Sequence, residues 1–108
     1  LLAEEGGDLE KAEQMSRRAI EAEPTNATYL DTYAWILYRL QRYDEALIYI
    51  EQAIAHDPEP SDVLYDHAGD ICHQLGKTAQ ARDYWQKALR LQRSNGTVNK
   101  TLEKKLKR

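Results

Sequence analysis

The chain repeats itself. Asp8-Leu9-Glu10-Lys11-Ala12 lines up with Arg42-Tyr43-Asp44-Glu45-Ala46 and with Lys77-Thr78-Ala79-Gln80-Ala81. Ala12 and Ala46 stand 34 residues apart, and Ala46 and Ala81 stand 35 apart. Seven residues after each of these alanines comes another, Ala19, Ala53 and Ala88, each followed by a large aliphatic residue, Ile20, Ile54 and Leu89. Pro24 and Pro58 recur 34 residues apart. A unit of this length cannot bury its apolar face alone, so it must stack on neighbours of the same kind.

Within the period the pattern is helical. From Ala27 to Leu40, residues Leu30, Tyr33, Ala34 and Leu37 follow the i, i+3, i+4, i+7 spacing of one helix face. From Asp44 to Ala55, Ala46, Leu47, Ile50, Ala53 and Ile54 do the same. Asn26, Ser61 and Thr78 are expected as N-caps. Pro58 and Pro60 separate one pair from the next. Gly7 and Gly76 are expected in the turns, where a positive φ closes a helix. Two helices approach closely only over small side chains. Ala34, Ala46, Ala53, Gly69, Ala81 and Ala88 are therefore expected at the crossings, with Tyr33, Leu37, Ile50, Tyr65 and Trp85 filling the adjacent space.

These residues resemble the tetratricopeptide repeat family. Leu30, Tyr33-Ala34, Leu37, Ala46, Ile50, Ala53 and Pro58 take the places of the family pattern in one repeat. Tyr65, Ala68-Gly69, Cys72, Gly76, Ala81, Trp85 and Ala88 take them in the next, where Arg93 replaces the terminal proline. The resemblance implies an all-α solenoid of antiparallel helix pairs, wound as a right-handed superhelix and closed by a C-terminal capping helix. It divides the chain into the last part of a truncated repeat at 1–26, full repeats at 27–60 and 61–95, and a basic capping helix at 96–108, where Val98, Leu102 and Leu106 make one apolar stripe. The wording from Tyr29 to Ala46 and from His67 to Leu89 is similar to the C-terminal repeats of long bacterial proteins. A chain opening Leu1-Leu2-Ala3, in mid-repeat, is expected to continue N-terminally in its natural form.

No nucleophile–base set, P-loop, dinucleotide fingerprint or zinc-protease motif occurs, so an enzyme is not expected and no cofactor is implied. Cys72 and His73 are adjacent and point about 100° apart on a helix; Cys72 reads as a core residue. Asp66, Asp70 and His73 share a helix face and are weighed as a cation site against a hydrated surface, with no metal expected. The longest apolar run, residues 33–38, is too short to span a bilayer, so no membrane insertion is expected. The compartment stays open.

What the resemblance implies for function is protein–protein interaction, with a peptide or protein segment lying in a concave groove lined by the first helix of each repeat. The residues facing away from the core stripe there are Thr28, Asp31, Trp35, Tyr38 and Arg39, then Val63, Asp66, Asp70, His73 and Gln74. Their acidity disfavours a C-terminal carboxylate and favours a basic or neutral partner, with Trp35 and Tyr38 as anchors. Trp35 equally fits packing against a preceding helix. An alternative is self-association into a homodimer through the N-terminal edge, by an exposed patch of Tyr29, Tyr33 and Trp35. Residues 94–108 carry a net charge of +4 and the rest −7. Lys104, Lys105, Lys107 and Arg108 could touch phosphates, but the acidic body opposes a polyanion, and nucleic-acid binding is not expected.

Overall fold

Apolar residues at helical spacing, broken by cap and turn residues, become helices throughout. The computed structural model describes residues 2–97 and 100–107, with side chains from residue 8 onward. Among them are six helices and no strand: α1 (Leu2–Ala22), α2 (Ala27–Arg39), α3 (Tyr43–His56), α4 (Asp62–Gln74), α5 (Thr78–Asn95) and α6 (Lys100–Leu106). The chain divides into two units, residues 1–58 with α1 to α3 and residues 59–108 with α4 to α6.

In the first unit α2 packs on both α1 and α3. Leu30, Tyr33, Ala34 and Leu37 of α2 close on Ala46, Ile50 and Ala53 of α3. Leu30, Leu37 and Ile50 are fully buried, each contributing about 1.5–3 kcal/mol relative to an exposed position. In the second unit α4 packs on α5, and α6 on α5. Leu64, Ala68, Gly69, Ile71 and Cys72 of α4 are buried, as are Ala81, Trp85, Ala88 and Leu89 of α5 and Leu102 of α6. The crossing alanines Ala34, Ala46, Ala53, Ala81 and Ala88 are all fully buried. Their counterparts Ala12 and Ala19 on α1 are only half-buried.

Asn26 and Ser61 cap α2 and α4, accepting from the backbone N–H of Tyr29 at 3.1 Å and of Leu64 at 3.2 Å. Thr78 is not the cap expected of it. It is the first residue of α5, and Lys77 holds the N-cap place without a side-chain bond. The cause lies in the turn. Lys77 N–H donates to Cys72 C=O at 2.9 Å and Gly76 N–H to His73 C=O at 3.1 Å, while Lys77 C=O already accepts from Ala81. One residue thus ends α4 and starts α5, in a Schellman closure that leaves no room for a separate cap. Gly7 also differs from expectation: α1 runs through it.

The same closure recurs after α2, where Arg42 N–H reaches Leu37 C=O at 2.9 Å. Here the left-handed place that Gly76 fills at φ 75° is held by Gln41 at φ 64°. A residue with a Cβ pays about 1–2 kcal/mol in this conformation. Gln41→Gly is therefore expected to stabilise the first unit by about 0.5–1 kcal/mol after the entropy of the glycine is deducted. Gly76→Ala, with nothing within 4 Å of the added Cβ, should destabilise the second by a similar amount. Denaturant titration of both variants checks the pair of opposite signs.

Candidate functional site

The α2 face begins with exposed Thr28 and ends with exposed Arg39. Between them Asp31, Trp35 and Tyr38 are half-buried. Trp35 and Tyr38 stack with ring centroids 4.5 Å apart and planes 11° apart, and Tyr43 meets Tyr38 edge-on at 5.5 Å. The spacing i, i+3 puts both rings on one side of the helix, producing a partly open aromatic shelf beside Asp31.

On α4, Val63, His73 and Gln74 are exposed, and Val63 is one of the few large apolar side chains that are. Asp66 and Asp70, one helical turn apart, converge on a single ammonium, Lys105 of α6. Its Nζ lies 2.8 Å from Asp66 Oδ1 and 2.9 Å from Asp70 Oδ1. It also sits 5.9 Å from the Trp85 ring centroid, within cation–π range. Trp85 Nε1 donates to Asp70 Oδ1 at 3.2 Å, and the His73 ring lies 5.6 Å from that of Trp85. Burial disfavours the charge on Lys105, but the hydrogen bonds and charges of Asp66 and Asp70 outweigh it and raise its pKa above the usual lysine value. The contact is therefore complete below the ordinary lysine range and is lost as pH climbs through the raised value. Asp66 and Asp70 thus meet on a lysine of the same chain. Among the described residues no group of three His, Cys, Asp or Glu side chains is placed to hold a metal ion.

Tyr33 is not part of an exposed patch: α1 covers it. It is 4% exposed, its hydroxyl donates to Glu13 Oε2 at 2.7 Å, and its ring meets Tyr49 edge-on. Tyr29 and Trp35 stay half-buried. Glu13, also 4% exposed, accepts from Arg17 Nε at 3.0 Å as well. Of the tail, Lys104 and Lys107 are exposed, while Val98 and Arg108 lie outside the described residues.

Sequence reasoning passed over a second surface of the 59–108 unit. On α5, Arg82, Gln86, Arg90 and Arg93 are exposed at i, i+4, i+8 and i+11, one helix face, with Lys87 beside them. That periodicity is present in the sequence; the clustering of cations in the tail draws attention away from it. Beside Lys87 and Arg90 opens a cavity of about 530 Å³, also lined by Glu59, Pro60, Tyr65 and Leu91.

Helix pairs of this length and packing define a tetratricopeptide fold, and sequence comparison agrees. Family models described as "Tetratricopeptide repeat" match residues 27–60 and residues 63–95. The chain belongs to the tetratricopeptide repeat family, whose repeats generally mediate protein–protein interaction. It is 35% identical over 89 residues to the type IV pilus assembly protein PilF of Pseudomonas aeruginosa. That match covers 81% of this chain and 35% of PilF, so the chain spans about a third of that relative's length. The NMR structure of the first tetratricopeptide domain of human RPAP3 has the same fold, with a TM-score of 0.75 at 18% identity over 95% of this chain and 83% of that one. No helix among the described residues is long and apolar enough to cross a membrane.

Proposed function

We propose that the chain is a non-enzymatic interaction module that binds basic or neutral segments of a partner protein, the outward face of α2 in the first unit and that of α4 in the second each serving as a contact surface. The observation that carries this reading is the capture of an ammonium by Asp66 and Asp70. Two carboxylates one turn apart, next to an indole, offer a lysine head both charge and a ring face. On α2 the Trp35–Tyr38 shelf beside Asp31 offers the same combination, with the aromatic part larger. Thr28, Arg39, Val63, His73 and Gln74 frame the two faces. A partner carboxylate would meet the wrong sign of charge at Asp31, and at Asp66 and Asp70 it would meet a pair that Lys105 offsets only in part. By kinship with PilF, the setting proposed for this activity is the assembly of a bacterial surface fibre.

A charge-varied peptide array tests the reading, probed with the wild type, with Asp31→Asn and Trp35→Ala on α2, and with Lys105→Met on α6. Basic peptides should be retained by the wild type and lost by the α2 variants. Lys105→Met removes the internal competitor, so lysine-bearing peptides should bind it about tenfold more tightly by fluorescence anisotropy, the order of one good charged contact. Unchanged or weaker binding by that variant would remove the α4 face from the site, and equal retention of acidic and basic peptides would sink the charge preference altogether.

A further inference from the structure

We propose that the cavity between the start of α4 and the last turns of α5 is a second interaction site, opposite in charge preference to the first, which takes an acidic protein segment through one large apolar or aromatic side chain. The inference is independent of the α2 and α4 faces. Pro60, Tyr65 and Leu91, all half-buried, give the cavity of about 530 Å³ an apolar floor. That volume lies within the range of functional pockets and exceeds what one side chain displaces. Tyr65 stacks on Tyr84 at 6.2 Å, and Lys87 Nζ lies 5.8 Å and 5.7 Å from the two ring centroids. The aromatic wall and a cation therefore come as one surface.

Charge identifies the occupant. Arg90 is exposed at the rim, and the face of Arg82, Arg90 and Arg93 extends a positive field along α5 in a chain whose net charge is −3. An anionic segment is drawn to this face. Glu59 lines one wall and Asp83 pairs with Lys87 at 3.3 Å. The incoming carboxylates therefore belong on the Arg90 side, with the apolar anchor reaching Tyr65 and Leu91. A bare polyanion would satisfy the arginines and leave that floor wet, so a protein segment fits better than nucleic acid.

The test uses the ¹⁵N-labelled chain and a heptapeptide with three aspartates on each side of a central tryptophan. Amide shifts are expected at Tyr65, Lys87, Arg90 and Leu91, with loss of binding when the tryptophan becomes serine or the aspartates become asparagine. Arg90→Glu, at an exposed position that leaves the fold and Tm in place, should weaken binding about tenfold or more, and Arg90→Gln should act in the same direction. The proposal is overturned if the shifts fall elsewhere, if both Arg90 variants bind like wild type, or if a single-stranded oligonucleotide of equal length binds the cavity as well as the peptide does.

Discussion

Gly69→Ala is expected to destabilise the 59–108 unit by about 1–3 kcal/mol, although alanine is the better helix former. A Cβ at this position would stand 2.3 Å from both Cδ1 and Nε1 of Trp85. The indole has nowhere to go: it is 2% exposed and its Nε1 is tied to Asp70. The overlap outweighs the roughly 1 kcal/mol that alanine contributes to an unobstructed helix. In the preceding repeat the equivalent positions hold Ala34 and Ile50, both fully buried. A methyl on the first helix is there matched by a shorter side chain on the second. Trp85→Ile alone opens a void and costs about 2 kcal/mol or more, but combined with Gly69→Ala it recreates the Ala34–Ile50 pairing. The double variant should be more stable than the sum of the single changes by about 1 kcal/mol or more. Denaturant titration of the four proteins measures this coupling, and strict additivity would refute the steric account.

Glu13→Ala should weaken the packing of α1 on α2 by about 1–3 kcal/mol, because it strips a buried tyrosine hydroxyl of its acceptor. Burial pushes the Glu13 carboxyl up, but hydrogen bonds from Tyr33 and Arg17 and the charges of Arg17 and Arg42 outweigh it and hold its pKa below the ordinary value. A carboxyl with a lowered folded-state pKa stabilises fully above its unfolded value and ceases to do so as pH falls through the folded one. The protection of the α1 amides, taken as the exchange rate relative to the intrinsic rate at the same pH, should therefore fall in acid in the wild type. Glu13→Gln, which keeps an acceptor and cannot titrate, should lose most of that pH dependence. If the α1 amides are protected equally at neutral and acid pH in the wild type, the network does not hold the helix.

The helices and their crossings are legible in the sequence because they rest on local spacing. Asn26 and Ser61 each cap a helix through the N–H of a near neighbour in the chain, Tyr29 and Leu64. Lys77 shows where local reading stops. Whether it or Thr78 takes the cap depends on how the previous helix closes, which a cap residue alone does not reveal. The surfaces are less legible because their decisive contacts are distant. Lys105 reaches Asp66 across 39 residues and Asp70 across 35, so a face that looks open in the sequence carries a bound lysine. Tyr33, on the core stripe as its spacing predicts, finds Glu13 across 20 residues, and this contact removes it from the exposed patch that the self-association alternative needs.

The exchange of bulk between Ala34 with Ile50 and Gly69 with Trp85 bears on how such arrays lengthen and diversify. A recombination joint inside the turn at Leu75–Lys77 would separate a glycine from its tryptophan, leaving a hole on one product and a collision on the other. A joint in the stretch between α3 and α4 moves each matched pair intact. The inheritable brick is then the whole hairpin, and its two helices must drift together: a change of size on one is tolerated only in lineages where the other has already made room.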